Sequence, residues 1–579
     1  MNLDTIREAL TAQYAPWERL TLADRFDRLT ERYGDRPLIM TQERDWSFSD
    51  VAQASEQLAA GLMALGIRRR EHVAVILANY PEYVVLQIAL ARIGAVAVPL
   101  NYALKADENA YLLGQSDAVC LITMDYYRDQ DYLTQLDEIA PGWREGRQDA
   151  LPRLREVVIF PTRDEDANAH QSYASVLEMG SRVSRVEVSQ RQRESAYPDE
   201  VVNILYTSGT TNLPKGVMLT HDMLWRSAMA TAYGRGHRDG SRLFFPMPLY
   251  HVFAYVEGLL GAMLVGGAVI TQIRFVPDEA LRLMSEKRAT EALLVPTILQ
   301  ELLRRPEVSK LDFSALTSIF CASSPAPVGL WEQAKVAFDL GEVHTGYGMT
   351  EVAAATVSTR SGDPVDVVTS RVGAVLPGGP GGLREFQGAN TEYKTVDPTT
   401  GEDLPRGVEG ELACRGNIVT TGYYNKPLET AETLDKDGWL RTGDLGRIHS
   451  DGLLELTGRS KDLYKLNGEN IIPREIEELL STHDAVEQAF VVGVPDELSG
   501  EVGVAFVTLR QGGSVEAEEL RSFVRERLSR HKVPYAVYFV GFDELPLTAS
   551  GKIQKFRLRE RAMKALGRSE LGAKMTGGG

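Results

Sequence analysis

The first 140 residues alternate short apolar runs with longer segments in which apolar side chains recur at helical spacing. A β-branched run at His72–Leu77 precedes a helical pattern over Pro81–Ile93, and a second run follows at Ala95–Leu100. Proline in the first turn of a helix and glycine just past its end, here Gly94, are start and stop signals. The segment therefore predicts a βαβ unit, and the alternation predicts a parallel sheet with helices on both faces.

Two further helices are predicted earlier in the chain from their polar first residues. Thr21 is followed three residues later by Asp24, a short relative of the capping box, and Gly34 is the stop signal of that helix. Ser49 predicts the start of a second helix, which ends near Gly66.

Residues 141–200 interrupt this pattern because they are rich in Arg, Glu, Asp and Ser. With a single weak strand at 157–160, they are predicted to form an excursion on the surface. The core resumes at 201–205, and a second alternating block predicts strands at 243–245, 268–272, 292–295 and 318–321.

Beyond residue 371 the apolar runs become short and are separated by glycines, which is typical of small antiparallel sheets. Past residue 458 the pattern predicts a smaller α+β unit. Its elements are a helix after Pro473, strands at 489–494 and 503–509, and a charged helix near 516–530.

Composition narrows the classes of function. The 579 residues are 44% hydrophobic and 25% charged, as in an ordinary globular protein with a large core. The net charge of −17 argues against binding to nucleic acid or to an anionic membrane, since both require clustered positive charge. The three cysteines stand far apart without a CxxC pair, which favours a reducing compartment over disulfides or structural zinc.

The chain also lacks sequence signals for export or for membrane insertion. Its first residues include Asp4 and Glu8 and contain no apolar core of a signal peptide. The most apolar stretches, 83–100 and 258–270, do not reach the ~18 uninterrupted apolar residues of a membrane helix. We therefore expect a cytoplasmic protein without a membrane span.

The strongest local motif is YTSGTTNLPKG at 206–216, directly after the predicted strand at 201–205. Hydroxyl groups, glycine and backbone N–H groups in a loop beyond a strand can surround phosphate oxygens, and Lys215 adds a positive charge. The order of residues differs from a Walker A loop because Pro214 precedes the lysine and Gly216 follows it. A hydroxyl-rich surface turn is the alternative interpretation of the loop taken alone.

This loop resembles the phosphate-binding signature of the adenylate-forming superfamily, which includes acyl-CoA synthetases, adenylation domains of peptide synthetases and firefly luciferase. Other segments resemble that family's motifs in its order: GYGMTE at 346–351, GELACRG at 410–416 with Gly422 and Tyr423, GWLRTGD at 438–444, GRSKD at 458–462 and PLTASGK at 546–552. The resemblance extends from about Thr21 to Arg559, and six ordered motifs outweigh any single short match.

The resemblance implies an α/β fold with a large N-terminal domain at 1–460, made of parallel αβαβα-type sheets and a small antiparallel, barrel-like sheet. A small mobile α+β domain at 461–566 and a flexible tail at 567–579 are expected to follow. The implied activity is that of an acyl-CoA ligase, which uses ATP, Mg²⁺ and coenzyme A to convert a hydrophobic carboxylic acid to acyl-AMP and then to acyl-CoA.

Roles carry over from the family to matching residues. Lys552 is the lysine that bridges carboxylate and α-phosphate oxygens, whereas Lys555, three residues on, is set aside. Glu351 and Thr207 are the expected magnesium ligands and catalytic partners of that lysine. The residues that the resemblance assigns to ATP or AMP are Thr207, Ser208, Gly209, Thr210, Thr211, Lys215, Gly346, Tyr347, Gly348, Met349, Thr350, Asp444 and Arg459.

The remaining assignments concern the acid and coenzyme A. His251 matches the gate beside the acyl pocket, although a histidine with aromatic neighbours is as often a core residue. The other expected acyl-site residues are Phe253, Tyr255 and Ser323. The apolar character of this lining favours a hydrophobic acid. Lys461 matches the hinge of the small domain, and the residues expected beside coenzyme A are Lys465 and Gly468.

Two departures from the family pattern leave alternatives open. Asn212 stands where the family usually carries glycine, and the glycine-rich segment at 377–390 resembles an insertion that we expect to be mobile. An enzyme that only transfers acyl groups from a preformed acyl-adenylate to coenzyme A is therefore the second hypothesis. A non-catalytic nucleotide-binding protein is the third, although the presence of Lys552, Glu351 and Asp444 argues against it. A separate acyl carrier protein is a further candidate acceptor.

Overall fold

The computed structural model describes residues 2–145, 150–163, 171–207, 213–324, 326, 328–467, 469–496, 498–510, 512–547 and 553–568. The chain packs as two compact units, one formed by 1–392 with 415–440 and the other by 393–414 with 441–579. Residues 441–460 thus pack with the C-terminal residues. The domain boundary expected at Lys461 is the position about which the small domain is expected to rotate, and it stays a prediction.

The first large sheet of the larger unit has six strands. Its inner strands are parallel, and only the last strand of the sheet in chain order, Lys215–Thr220, runs antiparallel to its neighbour. The strands lie in the order Lys215–Thr220, Val201–Thr207, Val96–Pro99, His72–Ile76, Cys120–Met124 and Glu156–Phe160.

The second large sheet has seven strands and is parallel except for one edge strand, Asp45–Ser47. The strands lie in the order Glu342–His344, Ser318–Cys321, Glu291–Leu294, Arg242–Phe244, Ala268–Ile270, Pro37–Met40 and Asp45–Ser47.

Both sheets contribute to one large core in which the helix Pro81–Ile93 is buried along its whole length. Pro81 opens this helix and Gly94 closes it in the left-handed conformation at φ 70°, which glycine adopts without steric penalty. A helix that is apolar on all faces is stable only inside a protein, where it packs on every side. The predicted βαβ unit is confirmed at this point.

Small sheets complete both units. In the larger unit, Gly346–Met349, Ala354–Ser358 and Ala374–Val375 form an antiparallel sheet, and Tyr126–Tyr127 pairs with Gln130–Asp131. A further sheet has the strand order Asp403–Leu404, Thr391–Val396, Gly410–Gly416, Leu440–Ile448 and Leu454–Arg459. The last sheet has the order Glu469–Ile471, Tyr464–Leu466, Gly500–Leu509 and Val486–Asp496, with Ala536–Phe539 parallel to Gly500–Leu509.

The α-helices are Leu3–Tyr14, Leu22–Tyr33, Phe48–Ala64, Pro81–Ile93, Ala106–Gln115, Tyr132–Ile139, Tyr173–Met179, Arg185–Glu194, His221–Arg235, Gly261–Leu264, Pro277–Glu286, Pro296–Leu303, Val328–Ala337, Val365–Ser370, Pro427–Thr433, Pro473–Ser481, Ala517–Arg527 and Lys555–Ala565. The predicted α/β architecture with a C-terminal α+β region is confirmed. Among the described residues, none of the helices combines the length and the apolar character needed to cross a bilayer.

Two local predictions were wrong. The helix expected to start at Ser49 starts one residue earlier, at Phe48, because Ser47 and Asp50 form a complete capping box. The described part of the polar segment 141–200 is more than a surface excursion. It supplies the edge strand Glu156–Phe160 of the six-stranded sheet and the helices Tyr173–Met179 and Arg185–Glu194.

Candidate active site

The expected phosphate loop starts at the carboxyl end of a strand in the six-stranded sheet. Thr207 is the last residue of Val201–Thr207 and lies opposite Lys215, the first residue of the next strand. The carboxyl edge of a parallel sheet is where α/β proteins commonly bind ligands. Between these two residues, Ser208, Gly209, Thr210, Thr211 and Asn212 lie outside the described residues.

A chain of contacts joins the base of this loop to Glu351. The Nζ atom of Lys215 lies 4.5 Å from the centroid of the Tyr423 ring, and the Tyr423 hydroxyl donates a hydrogen bond of 3.0 Å to Oε1 of Glu351. Burial, together with the neighbouring Glu351 carboxylate, raises the pKa of Tyr423, so that its hydroxyl stays protonated as a donor. Two residues assigned to nucleotide binding, far apart in sequence, are thereby brought together.

Backbone hydrogen bonds join the segment 420–424 to the phosphate hairpin, which is formed by the strands Val201–Thr207 and Lys215–Thr220. The amide of Met218 donates to Gly422 O at 3.2 Å, and the amide of Tyr424 donates to Gly216 O at 2.8 Å. The amide of Thr420 donates to Glu351 O at 2.7 Å. This segment therefore sets the distance between the hairpin and Glu351.

Glu351 lies in a tight hairpin whose strands are Gly346–Met349 and Ala354–Ser358. A Cβ atom on Gly348 would lie 1.9 Å from Ala354 O, so that the close approach of the two strands requires glycine at this position. Glu351 is 6% exposed. The expected adenine-site residues Gly346, Tyr347, Gly348, Met349 and Thr350 all belong to this hairpin.

The predicted acyl residues lie around a π-helix at Phe253–Leu260, an uncommon geometry that occurs often at functional sites. His251 stands just before it, and its Nδ1 atom accepts a hydrogen bond of 3.3 Å from the Phe253 amide. The Phe253 ring meets Phe320 edge to face at 5.8 Å. These contacts form an apolar wall beside the histidine.

Tyr255 and Ser323 differ in placement. Tyr255 is fully buried in the main core, and its burial raises the pKa of its hydroxyl. Ser323 follows the strand Ser318–Cys321 with φ at +83°, a conformation that is rare for residues other than glycine. Its hydroxyl is buried and has no hydrogen-bond partner among the described residues.

In the smaller unit, the predicted ribose residues form an ion pair. Asp444 and Arg459 face each other on adjacent antiparallel strands, with Nε of Arg459 3.0 Å from Oδ1 of Asp444. Asp444 is 8% exposed. The Thr442 hydroxyl accepts from the Asp444 amide at 3.1 Å, and the Glu411 carboxylate accepts from the Gly443 amide at 3.0 Å. The aspartate is thus held by its own turn.

The lysines of the smaller unit fall into distinct groups. Lys461 and Lys465 are exposed, in the turn after Arg459 and on the strand Tyr464–Leu466 respectively. Gly468 and Lys552 lie outside the described residues. Lys555 is 2.7 Å from the Glu477 carboxylate and 3.8 Å from that of Asp462, which gives it a structural role.

The glycine-rich segment at 377–390 was expected to be mobile, and its packing contradicts that expectation. The Gly378 amide donates to Gly388 O at 2.8 Å, the Leu383 amide donates to Ala389 O at 2.9 Å, and the buried Arg226 guanidinium donates to Gly381 O. A Cβ atom on Gly382 would lie 2.0 Å from Gly388 O. Glycine here permits close backbone packing.

Sequence motifs alone did not reveal the role of Tyr423. The motif placed this residue in the family pattern but gave no partner for it, since Lys215 and Glu351 are remote in sequence. The sequence feature that could have drawn attention to Tyr423 was the aromatic pair Tyr423 and Tyr424 directly after Gly422, which is typical of a tight connection with large side chains. Only the fold shows which two site residues the ring and the hydroxyl contact.

The α/β fold and the ordered motifs are those of an adenylate-forming enzyme. The chain belongs to the AMP-binding enzyme family: the sequence model of that family matches residues 26–424, and the model of the AMP-binding enzyme C-terminal domain matches residues 475–552. These two matches include four of the six motifs, and the motifs at 438–444 and 458–462 lie between them.

Relatives of known sequence match over nearly the whole chain. The medium-chain acyl-CoA ligase ACSF2 of Danio rerio mitochondria is 32% identical over 565 residues, with 95% of this chain and 90% of that protein covered. A Mycobacterium tuberculosis enzyme, 3-[(3aS,4S,7aS)-7a-methyl-1,5-dioxo-octahydro-1H-inden-4-yl]propanoyl:CoA ligase, is 32% identical over 541 residues, with 93% of this chain and 98% of that protein covered.

The fold also matches a solved structure of this class. The crystal structure of ATP-bound MatB from Rhodopseudomonas palustris superposes with a TM-score of 0.80 at 27% identity, with 94% of this chain and 99% of that chain covered. The protein is accordingly an AMP-forming acid–thiol ligase of the acyl-CoA synthetase type. It activates an acid with ATP as the acyl-adenylate and transfers the acyl group to coenzyme A.

Proposed function

We propose that the larger unit performs adenylation with Lys215, Glu351 and Thr207 around the ATP phosphates. The observation that carries this proposal is the contact chain from Lys215 through Tyr423 to Glu351. Attack of a carboxylate on the α-phosphate gathers negative charge in the transition state, and preorganised cations and hydrogen-bond donors stabilise that charge. Lys215 supplies one cation at the loop, and Lys552 supplies the second.

Magnesium fits the donors at this site. Glu351 offers a carboxylate and Thr207 a hydroxyl, and hard oxygen atoms are the ligands that Mg²⁺ prefers. Among the described residues, no group of three or more His, Cys, Asp or Glu side chains could hold a metal. A single carboxylate that acts together with substrate phosphate oxygens agrees with this pattern, and Mg²⁺ would neutralise phosphate charge there.

The remaining residues bind and exchange substrates. Asp444, fixed by its turn and by Arg459, accepts hydrogen bonds from the ribose hydroxyls. After a rotation of the C-terminal residues about Lys461, Lys465 and Gly468 face the acyl-adenylate and guide the thiol of coenzyme A. A separate acyl carrier protein is the alternative acceptor.

The acid is proposed to be hydrophobic. Phe253 and Phe320 form an apolar wall beside His251, and such a wall favours an apolar acyl group. The names of the two relatives describe acids of different shape, one a medium-chain acid and one with a fused bicyclic ring. Straight-chain and bicyclic acids are therefore the first two classes to compare.

The test is acid-dependent exchange of pyrophosphate into ATP, measured over fatty, aryl and bulky alicyclic acids. We expect exchange with at least one hydrophobic acid and none without acid. Silence with every acid, together with acyl-CoA formation from preformed adenylates, would contradict the adenylation proposal and support the transfer-only hypothesis based on Asn212. Silence in both assays would favour a non-catalytic nucleotide-binding protein.

A cytoplasmic location completes the proposal. The three cysteines, Cys120, Cys321 and Cys414, are buried and outside any disulfide, as expected of a chain that folds in a reducing compartment. Fractionation of the native cells with an antibody against the chain tests this location directly.

A further inference from the structure

Four ionisable side chains form a buried network behind the acyl site. The Arg235 guanidinium lies 2.7 Å from the Glu257 carboxylate and 3.0 Å from the Glu291 carboxylate. His237 lies 2.9 Å from Glu291 through its Nε2 atom. The side chains of all four residues are between 3% and 6% exposed. Removing such charges from water is expensive, so an arrangement of this kind calls for an explanation.

Glu257 occupies a distinct position within this network. It lies on the π-helix Phe253–Leu260, and its Oε1 atom accepts a hydrogen bond of 3.0 Å from the Ala355 amide. Ala355 is the second residue of the strand that follows the Glu351 turn. Glu257 therefore links two elements: the helix on which it lies, which also carries the predicted acyl residues Phe253 and Tyr255, and the hairpin that carries the predicted magnesium ligand.

The backbone that Glu257 holds is strained. Ala353 has φ at 56° and Ala354 has φ at 118°, in a region that alanine rarely adopts. Such a conformation costs free energy and persists only where its surroundings enforce it. The Ser227 hydroxyl donates to Ala353 O at 2.8 Å on one side of this turn, and Glu257 accepts from Ala355 on the other.

The network also reaches the acyl wall. The Arg235 guanidinium lies 4.2 Å from the centroid of the Phe320 ring, the same ring that meets Phe253. Burial raises the pKa of Glu257 to about 7, although Arg235 opposes that shift. Burial by itself would raise the pKa of Glu291 as well, but Arg235 and His237 together lower it to about 2. The guanidinium is thus shared by two carboxylates of different basicity.

We propose that Glu257 is a positioning residue for ATP·Mg²⁺ binding, because its hydrogen bond from the Ala355 amide fixes the hairpin that carries Glu351. The inference rests on the proposed role of Glu351 in adenylation. In this arrangement the acceptor oxygen of Glu257, Oε1, matters more than the charge of the carboxylate. Arg235 donates to the other oxygen, Oε2, and thereby holds the carboxylate group in place.

The test compares variants that keep or remove this acceptor. Glu257→Gln keeps an oxygen for the Ala355 amide, whereas Glu257→Met removes it at similar length. Arg235→Met with Glu257→Met removes both partners of this buried pair and leaves Glu291 its contact with His237, and so supplies a second variant without the acceptor if Glu257→Met alone unfolds. Glu291→Gln is the matched control, since it alters the same network through the contacts of Glu291 with Arg235 and His237 and leaves the hydrogen bond from the hairpin to Glu257 in place.

The primary readout is the dissociation constant of ATP·Mg²⁺ by calorimetry, which requires no knowledge of the acid. We expect about a tenfold weakening in both variants that lack the acceptor, as expected for loss of one hydrogen bond to a charged group. We expect the dissociation constants of Glu257→Gln and Glu291→Gln to stay within about threefold of the parent value. That result would identify the loss of the acceptor, and not the loss of charge, as the cause of the weaker binding.

Two results would overturn the inference. One is an unchanged affinity for ATP·Mg²⁺ in the folded double variant, and the other is an equal loss in Glu291→Gln. The outcome is separable from that of the proposed function, because absence of pyrophosphate exchange with every acid leaves the comparison of affinities intact. A wild-type chain that bound no ATP·Mg²⁺ would contradict both.

Discussion

Tyr423 contacts two predicted site residues with different parts of one side chain. Its ring faces the Lys215 ammonium and its hydroxyl donates to Glu351. The substitution Tyr423→Phe keeps the first contact and removes the second. Because a buried hydrogen bond to a carboxylate contributes about 1.5–3 kcal/mol, we expect adenylation to slow by about tenfold or more. Pyrophosphate exchange at saturating acid measures this change.

Tyr424→Phe provides the matched control for that experiment. The Tyr424 hydroxyl donates to Asp117 at 3.0 Å, so that its loss changes the same loop without touching Glu351. We expect exchange within about twofold of the parent for this control. Equal exchange rates in Tyr423→Phe and Tyr424→Phe, whether both fast or both slow, would mean that the Tyr423 hydroxyl has no specific role in orienting Glu351.

Candidate site residues could be proposed from the sequence where the chemistry lies in a short motif, and their roles stay predictions. Lys215 begins a strand, Glu351 lies in a turn and Asp444 lies within the strand Leu440–Ile448, each with a close partner. Glu257 was visible only as an acid near the predicted acyl residues. Its partners Arg235 and Ala355 come from other elements, and no spacing along one sequence encodes such a contact.

At the scale of elements, the Glu351 hairpin depends on the absence of a side chain at Gly348. A Cβ atom there would lie 1.9 Å from Ala354 O and 2.5 Å from the Ala355 Cα, both backbone atoms that cannot turn aside. We expect Gly348→Ala to lower the free energy of unfolding by about 1–3 kcal/mol and to weaken ATP·Mg²⁺ binding. Chemical denaturation and calorimetry measure the two effects.

Gly341→Ala is the control for that substitution. Apart from its two chain neighbours, no described residue has an atom within 4 Å of a Cβ atom built on Gly341, which precedes the strand Glu342–His344. We expect it to leave both quantities near their parent values. If Gly348→Ala were as harmless as Gly341→Ala, the close approach of the two hairpin strands would not be required for the site.

Elements with strong end signals were predictable, and those defined by distant contacts were not. Pro81 and Gly94 gave the bounds of their helix, because both residues restrict the backbone locally. The start at Phe48 was missed although Ser47 and Asp50 carry a capping-box signal. The π-helix Phe253–Leu260 has no such signal, since its sequence is apolar except for Glu257 and fits any buried helix.

For the whole molecule, the family's scheme requires the C-terminal residues to serve two half-reactions in turn. The proposed function assigns Lys552 to the first half-reaction and a hinge at Lys461 to the second. A change at one position should therefore impair one half-reaction and spare the other. A hinge absorbs a large backbone rotation at one or two residues, which proline prevents because its φ is fixed.

We accordingly expect opposite losses from two variants. Lys552→Ala should slow pyrophosphate exchange by about a hundredfold or more, the usual effect of removing one group that stabilises transition-state charge, while acyl-CoA still forms from preformed acyl-adenylate. Lys461→Pro should retain exchange and lose thioester formation.

Lys555→Ala is the matched lysine control: it removes the contacts with Glu477 and Asp462, so that stability falls while the ratio of the two half-reactions stays unchanged. Parallel losses in both half-reactions for either main variant would mean that the C-terminal residues act in a single pose.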